Sequence, residues 1–299
     1  MLRPQRFADE IDPGPVQIQP RKVHFEFAGI PLHWIPGHPV ASDVIGLLNI
    51  ALPAFERWIV ATYNEALPLV GDPRLAEDMR GFIGQESIHA DMHEQALHDF
   101  MEANGIEPRR MQRQIDYLFS KVLAPSGSTN PKRRRNNLCD RLWLIAALEH
   151  YTAVLGDFAL NNAWEDHGAH PTFVDLFRWH GAEEVEHRNV AHDVATYFSD
   201  SYLDRLGAMA LAVAFMFGSF QTGTSYLLKK DPQVELSWWQ VQRLRWQDAK
   251  LGLLPKYRTL FGKNTLTYLR PGFSPDEMGS TAQAVAYLAS SPAARAAHL

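Results

Sequence analysis

Gln85-Glu86-Ser87-Ile88-His89 and Glu184-Val185-Glu186-His187 are the two stretches on which the reading of this chain turns. Each contains Glu-x-x-His within a segment of helical periodicity. Residues three apart on a helix share a face, with Cβ atoms roughly 5–6 Å apart. A carboxylate and an imidazole placed this way can bind one metal ion. Chance supplies a match of this kind often enough that the motif does not decide the matter by itself. The surrounding helices have to supply the rest.

A two-metal centre in a helical bundle needs one further Glu from each of the two other helices. Pro53-Ala54-Phe55-Glu56-Arg57-Trp58 offers Glu56, and Ala146-Ala147-Leu148-Glu149-His150-Tyr151 offers Glu149. Both sit mid-helix among apolar residues, where a carboxylate is costly unless paired or bound to a cation. Their heights agree. Glu56 lies 14 residues before a loop centred near Val70, and Glu86 lies 16 after it. Glu149 lies 19 residues before a loop near Gly168, and Glu184 lies 16 after it. At 1.5 Å per residue, antiparallel helices bring each pair to a similar level. The expected metal ligands are therefore Glu56, Glu86, His89, Glu149, Glu184 and His187.

Several neighbours compete or assist. Glu65 is the rival to Glu56, but it lies half a turn round the helix and near its end. Glu183 is the rival to Glu184; the equal Glu-x-x-His spacing in both halves favours Glu184. His93 and His180 share a face with His89 and Glu184 and stand as either extra ligands or outer hydrogen-bond partners. Tyr63 faces the centre or the core. His150 points about 100° away from Glu149 and is set aside. Ala90, Ala153, Gly156 and Gly181 either leave room for a substrate or permit close helix packing.

The periodicity predicts long helices over residues 42–67, 73–104, 131–166 and 171–198, with a shorter one over 109–123. Further helices are expected over 203–228, 232–253 and 280–290. Pro53 is expected to kink the first helix or mark its start. Asp72, Pro73 and Gly105 bracket the second. Residues 1–40 hold seven prolines and read as an extended arm, with a short strand at 23–27. Long helices joined by short loops predict an all-α antiparallel bundle. One domain over 1–299 is expected, with the arm over 1–40, a metal-binding bundle over 41–200 and additional helices over 201–299. No 20–50-residue repeat, Gly-rich phosphate loop or Gly-x-Ser-x-Gly elbow occurs.

The net charge of −5 argues against nucleic acid as a partner. Lys132-Arg133-Arg134-Arg135 reads as a solvated helix start. Cys139 is the only cysteine, so neither a disulfide framework nor a multi-Cys zinc site forms within one chain. With no apolar signal segment near residue 1, a cytoplasmic location is expected. Residues 206–228 carry no charge, but their second half is polar. That suits a buried or oligomer-contact helix, with homodimerisation as one form, better than a membrane span. Membrane-surface contact through 206–246 is the alternative, because Lys229, Lys230, Trp238, Trp239 and Trp246 suit an interface.

The set Glu56, Glu86-x-x-His89, Glu149, Glu184-x-x-His187 resembles the ferritin-like di-iron carboxylate superfamily. More closely, the chain resembles a bacterial family known as predicted metal-dependent hydrolases. The similar stretches are Leu32-His33-Trp34, residues 52–57, residues 82–89 with His93, and Leu269-Arg270-Pro271-Gly272-Phe273. The superfamily resemblance implies a ferritin-like four-helix bundle holding two metal ions and acting on dioxygen. Glu and His donors without thiolates suit iron first, with manganese or zinc as alternatives. The leading expectation is thus a di-iron oxidase or oxygenase for a small apolar organic substrate. The alternatives are a hydrolase using metal-bound hydroxide and a non-catalytic, membrane-associated metal binder.

Overall fold

The computed structural model describes residues 17–297, and among these the regular structure is entirely helical. The principal helices are α1 (Pro39–Gly46), α2 (Leu48–Ala66), α3 (Pro73–Ala96), α4 (Arg109–Tyr117), α5 (Pro131–Leu160) and α6 (Pro171–Phe198). They are followed by α7 (Tyr202–Lys230), α8 (Trp238–Leu251), α9 (Thr265–Tyr268), α10 (Thr281–Ser290) and α11 (Pro292–Ala296). Helices α2 and α3 form one pair and α5 and α6 another, and α3 packs on α6 to join them. Helix α7 lies against α5 and α1.

Three of the long helices start at a capping residue followed by proline. The Asp72 carboxylate accepts from the backbone N–H groups of Arg74 and Leu75, with Pro73 next. Asn130 caps α5 in the same way before Pro131, and the His170 ring accepts from Thr172 N–H before Pro171. A side-chain cap satisfies an orphan donor, and proline at the first helical position lacks the donor that would be orphaned there. The starting points of α3, α5 and α6 are thereby fixed, and with them the height of every residue they carry.

The structure corrects several sequence boundaries. The first helix breaks at Leu47 and not at Pro53, which sits inside α2. Leu47 keeps right-handed dihedrals, so the change of direction is local. Helix α3 passes into a π-helical turn over Leu97–Glu102 before Gly105, at φ +87°, ends it. Helix α5 stops at Leu160, six residues early, where the Asn161 amide turns back onto the Asp157 carbonyl. Helix α8 starts only at Trp238, behind a capping box of Ser237 and Gln240. A π-helical turn over Arg258–Asn264 was not anticipated.

No strand forms at 23–27. Val23, Phe25 and Phe27 are buried and alternate with exposed His24 and Glu26, as in a strand, but they pack on helices with no strand to pair with. The arm runs across α3 where glycine lets it approach. A Cβ on Gly81 would lie 2.3 Å from the Ile18 carbonyl oxygen, and one on Gly84 would lie 2.8 Å from the Pro20 ring. Residues 1–16 of the expected arm lie outside the described residues. The basic run at 132–135 is exposed at the start of α5, as expected.

Helix α7 is less buried than expected. It buries Ala208, Met209, Ala212, Phe220 and Leu227 on one face and exposes Leu203, Leu211 and Phe217 on the other. Two stretches are long and apolar enough to cross a membrane, Pro39–Leu69 and Tyr202–Lys230. The first is mostly buried among other helices, so its apolar character is used in the core; the second is mostly exposed.

Helices α5 and α6 touch through backbone. A Cβ on Gly156 would lie 2.4 Å from the Gly181 carbonyl oxygen, and one on Gly181 would lie 2.8 Å from Gly156 Cα. Gly156→Ala is predicted to force the pair apart at a cost of about 1–3 kcal/mol. Gly207→Ala, on the same kind of backbone with nothing within 4 Å, is predicted to leave stability unchanged or slightly raised. Thermal unfolding of the two variants side by side checks this, and equal shifts would sink the contact argument.

Candidate metal centre

The six expected ligands lie on α2 (Glu56), α3 (Glu86, His89), α5 (Glu149) and α6 (Glu184, His187), and none is more than 3% exposed. Donor atoms of Glu86, Glu149, Glu184 and His187 lie within 4.8 Å of one another, and so do those of Glu56, Glu86 and His89. Glu86 belongs to both groups. Its Oε1 is 3.7 Å from His89 Nδ1 and 3.4 Å from His187 Nε2. Glu184 spans them too: Oε1 is 3.6 Å from His89 Nδ1 and Oε2 is 3.3 Å from His187 Nε2. Glu149 Oε2 lies 3.4 Å from His187 Nε2.

Each histidine is held from behind by its other nitrogen. His187 Nδ1 contacts Gln85 Oε1 at 2.9 Å, and Gln85 Nε2 donates to Glu186 at 2.7 Å. His89 Nε2 contacts Glu183 Oε2 at 2.8 Å. Both lines end at Arg21 on the arm, whose guanidinium donates to Glu183 at 2.7 Å and to Glu186 at 2.9 Å. A ring nitrogen bound to a carboxylate or amide oxygen fixes tautomer and orientation, so the opposite nitrogen presents a lone pair. His89 Nδ1 and His187 Nε2 are the atoms presented inward. Glu183 is thus a buried partner of His89, while Glu184 faces the cluster.

His180 joins the cluster from one side. Its Nε2 is 2.7 Å from Glu184 Oε1 and 3.7 Å from Glu56 Oε1. His93 uses both nitrogens elsewhere, at 2.8 Å from Asn49 Oδ1 and 2.5 Å from His180 Nδ1, and so it positions His180. Tyr63 is fully buried with its ring 4.8 Å from Phe82. Glu65 is turned away into an ion pair with Arg141. His150 packs on Tyr268 and Phe273 and contacts the Asn264 carbonyl, outside the cluster. Sequence reasoning missed Arg21, Gln85 and Asn49. Gln85 beside Glu86 was open to reading, because its mid-helix amide needs a partner if buried; Arg21 and Asn49 gave no local signal.

The electrostatics leave the cluster two ways to relieve its charge, uptake of protons or a bound cation. Burial, then Glu86 and Glu184, pushes the Glu56 carboxyl well above the usual range. Burial, then Glu184, pushes Glu86 to about 8, and burial with Glu184 and Glu86 raises Glu149. Burial opposes ionisation of Glu184 as well, but His187 and His180 together outweigh it and hold that carboxyl well below its ordinary value. His187 is raised correspondingly, Glu184 outweighing the effect of burial. Four carboxylates this close repel unless some take up protons or positive charge lies between them.

The donor atoms fit metal. Among the described residues, both oxygens of Glu56 and of Glu149, Glu86 Oε1 and His89 Nδ1 are buried without any hydrogen-bond partner. Buried polar atoms are rarely left so. Here all six belong to the cluster and face one another. Oxygen and imidazole donors without thiolate suit divalent iron, manganese or zinc, and do not choose among them.

A cavity of about 100 Å³ abuts the cluster, with His180 and Glu184 in its wall. Thr152 and Ser219 add hydroxyls; the remaining wall is chiefly aliphatic and aromatic, including Leu52, Phe55, Leu155 and Phe215. Gly156 and Gly181 do both things their size allows, packing the helices together and lining this space.

A family described as predicted metal-dependent hydrolase matches residues 19–279, which includes every residue of the cluster. The chain belongs to this family. No curated protein and no solved structure matches it. As a member of a metal-dependent family, it carries buried Glu and His groups able to hold metal ions.

Removing metal is predicted to destabilise the fold, because an ion held only by the folded chain adds its binding free energy to stability. A bound ion at 100 times its dissociation constant adds about 2.7 kcal/mol. Thermal unfolding before and after chelation should show a loss that added Fe²⁺, Mn²⁺ or Zn²⁺ reverses. Glu149→Gln should shrink that metal-dependent difference. A melting point indifferent to chelator and metal would contradict the assignment.

Proposed function

We propose that this protein is a metal-dependent hydrolase whose centre is a pair of divalent cations inside a single ferritin-like helical domain. The observation that carries the reading is the convergence of six donor side chains from four helices, with buried donor atoms of Glu56, Glu86, His89 and Glu149 left without hydrogen-bond partners. Glu56, Glu86, His89, Glu149, Glu184 and His187 would hold the ions, with Glu86 and Glu184 reaching toward both histidines. Four carboxylates balance the charge of two divalent ions. Family membership supports hydrolysis as the reaction class.

When bound, such ions acidify water and polarise an acyl or phosphoryl oxygen. The chain's own residues do the rest. Glu183 and Gln85 fix the histidines, and His93 fixes His180. His180, at 2.7 Å from Glu184 and in the cavity wall, is placed to serve as a further ligand or to pass a proton to substrate. The apolar wall excludes bulk water and selects a substrate with a hydrocarbon portion.

A second reading, oxidation of an apolar substrate by a di-iron centre, draws on the cavity, which offers few polar groups to orient a hydrolysable bond. Both readings are separated by one comparison. Protein stripped of metal and reloaded anaerobically with Zn²⁺ is predicted to cleave p-nitrophenyl esters of medium-chain acids, and Glu56→Ala and Glu149→Ala to abolish this. Activity that requires Fe²⁺ and consumes dioxygen, with the zinc form inert, would replace hydrolysis by oxidation.

A further inference from the structure

The apolar cavity does not end at the cluster. A second, open groove of about 830 Å³ shares Leu47, Ala51, Phe215 and Ser219 with it. The two spaces therefore adjoin at these four residues, which mark a line from the groove to the inner cavity. The character changes along that line. The inner space is hydrocarbon-walled and reaches His180 and Glu184. The outer groove carries Arg110, Lys229 and Lys230 together with Gln114, Gln221 and Trp238, and no acidic residue lines it.

This basic groove stands out on a chain of net charge −5. Glu107 pairs with Lys230 at 3.1 Å. Arg110 and Lys229 are exposed and make no ion pair among the described residues. Ser219 and Lys229 are ten residues apart on α7, about 15 Å along its axis. Close packing gives the passage a firm edge: a Cβ on Gly223 would lie 2.6 Å from Leu47 and 2.9 Å from Met111. A wholly polar substrate would lose its hydration in the inner space without replacement. A wholly apolar one would gain nothing from the three cations.

We propose that the substrate is an anionic amphiphile, with its carboxylate or phosphate head held by Arg110, Lys229 and Lys230 and its alkyl or acyl body threaded past Ala51 and Ser219 to the metal centre. This rests on the reading of the buried cluster as the reactive centre. The reacting bond is then the one remote from the charged head. The head group serves as the anchor that sets how deep the chain enters.

Calorimetric titration of the full-length, as-isolated protein tests this without relying on turnover. Dodecanoate, dodecyl phosphate and dodecanol are each titrated below the concentration at which they aggregate. Both anions should bind one per chain, at least about tenfold more tightly than dodecanol at low salt, with the advantage shrinking as salt screens the groove. The doubly charge-reversed variant Arg110→Glu/Lys229→Glu should lose that advantage and keep dodecanol binding. Ala51→Trp, checked for folding by circular dichroism, should lose all three ligands. Equal affinity for dodecanol and the anions, or indifference to charge reversal, would overturn the proposal. So would binding to phosphatidylglycerol vesicles with no saturable uptake of the monomers. Metal content is measured on the same samples. Failed binding in protein that holds two metal ions overturns the amphiphile alone, whereas protein that takes up no metal overturns the reactive centre.

Discussion

Four carboxylates gathered within a few ångström in the middle of a helical core are the constraint to which the rest of this molecule answers. Like charges at that separation in a medium of low dielectric are strongly unfavourable. Helices α2, α3, α5 and α6 nevertheless deliver Glu56, Glu86, Glu149 and Glu184 to one place. Such an arrangement persists only where something positive repays it. Within the chain that role falls to His187 and, through Glu183 and Glu186, to Arg21, while burial pushes Glu56, Glu86 and Glu149 toward their neutral forms; bound cations would supply the rest. The helix caps, the glycine crossing and the arm all hold the carboxylates in position against their repulsion.

The sharp helix starts explain why residue spacing in the sequence translates into spatial height. Asp72-Pro73, Asn130-Pro131 and His170-Pro171 set the phase of α3, α5 and α6. The backbone contact between Gly156 and Gly181 then sets how near α5 lies to α6. Glu149, two turns before that crossing on α5, and Glu184, one turn after it on α6, meet as a result. The same closeness shapes the apolar space beside them.

The inner cluster was legible in the sequence because its signals are local. Glu-x-x-His is a feature of one helix turn, and equal distances from two loops are a feature of helix rise. All six residues read in this way come together in the structure. The outer partners were hidden because their contacts are remote. Arg21 reaches residues more than 160 positions away, and Asn49 meets His93 across 44. Glu183 could be seen only as a competitor to Glu184, since which of two adjacent carboxylates faces inward depends on the rotation of α6. The strand expected at 23–27 shows the opposite failure. Alternating burial is a property of extended chain on an apolar surface, and helices provide that surface as well as a neighbouring strand would.

Arg21 gives the arm a thermodynamic role as well as a structural one. It is the one guanidinium shared by the carboxylates behind His89 and behind Gln85 and His187, so both ring orientations depend on the arm lying in its groove over Gly81 and Gly84. Two sites that share such an intermediary are linked, and linkage is reciprocal. Whatever affinity for cations is lost when the arm lifts is the same free energy by which bound cations hold the arm down. The arm and the centre are thus two readings of one equilibrium.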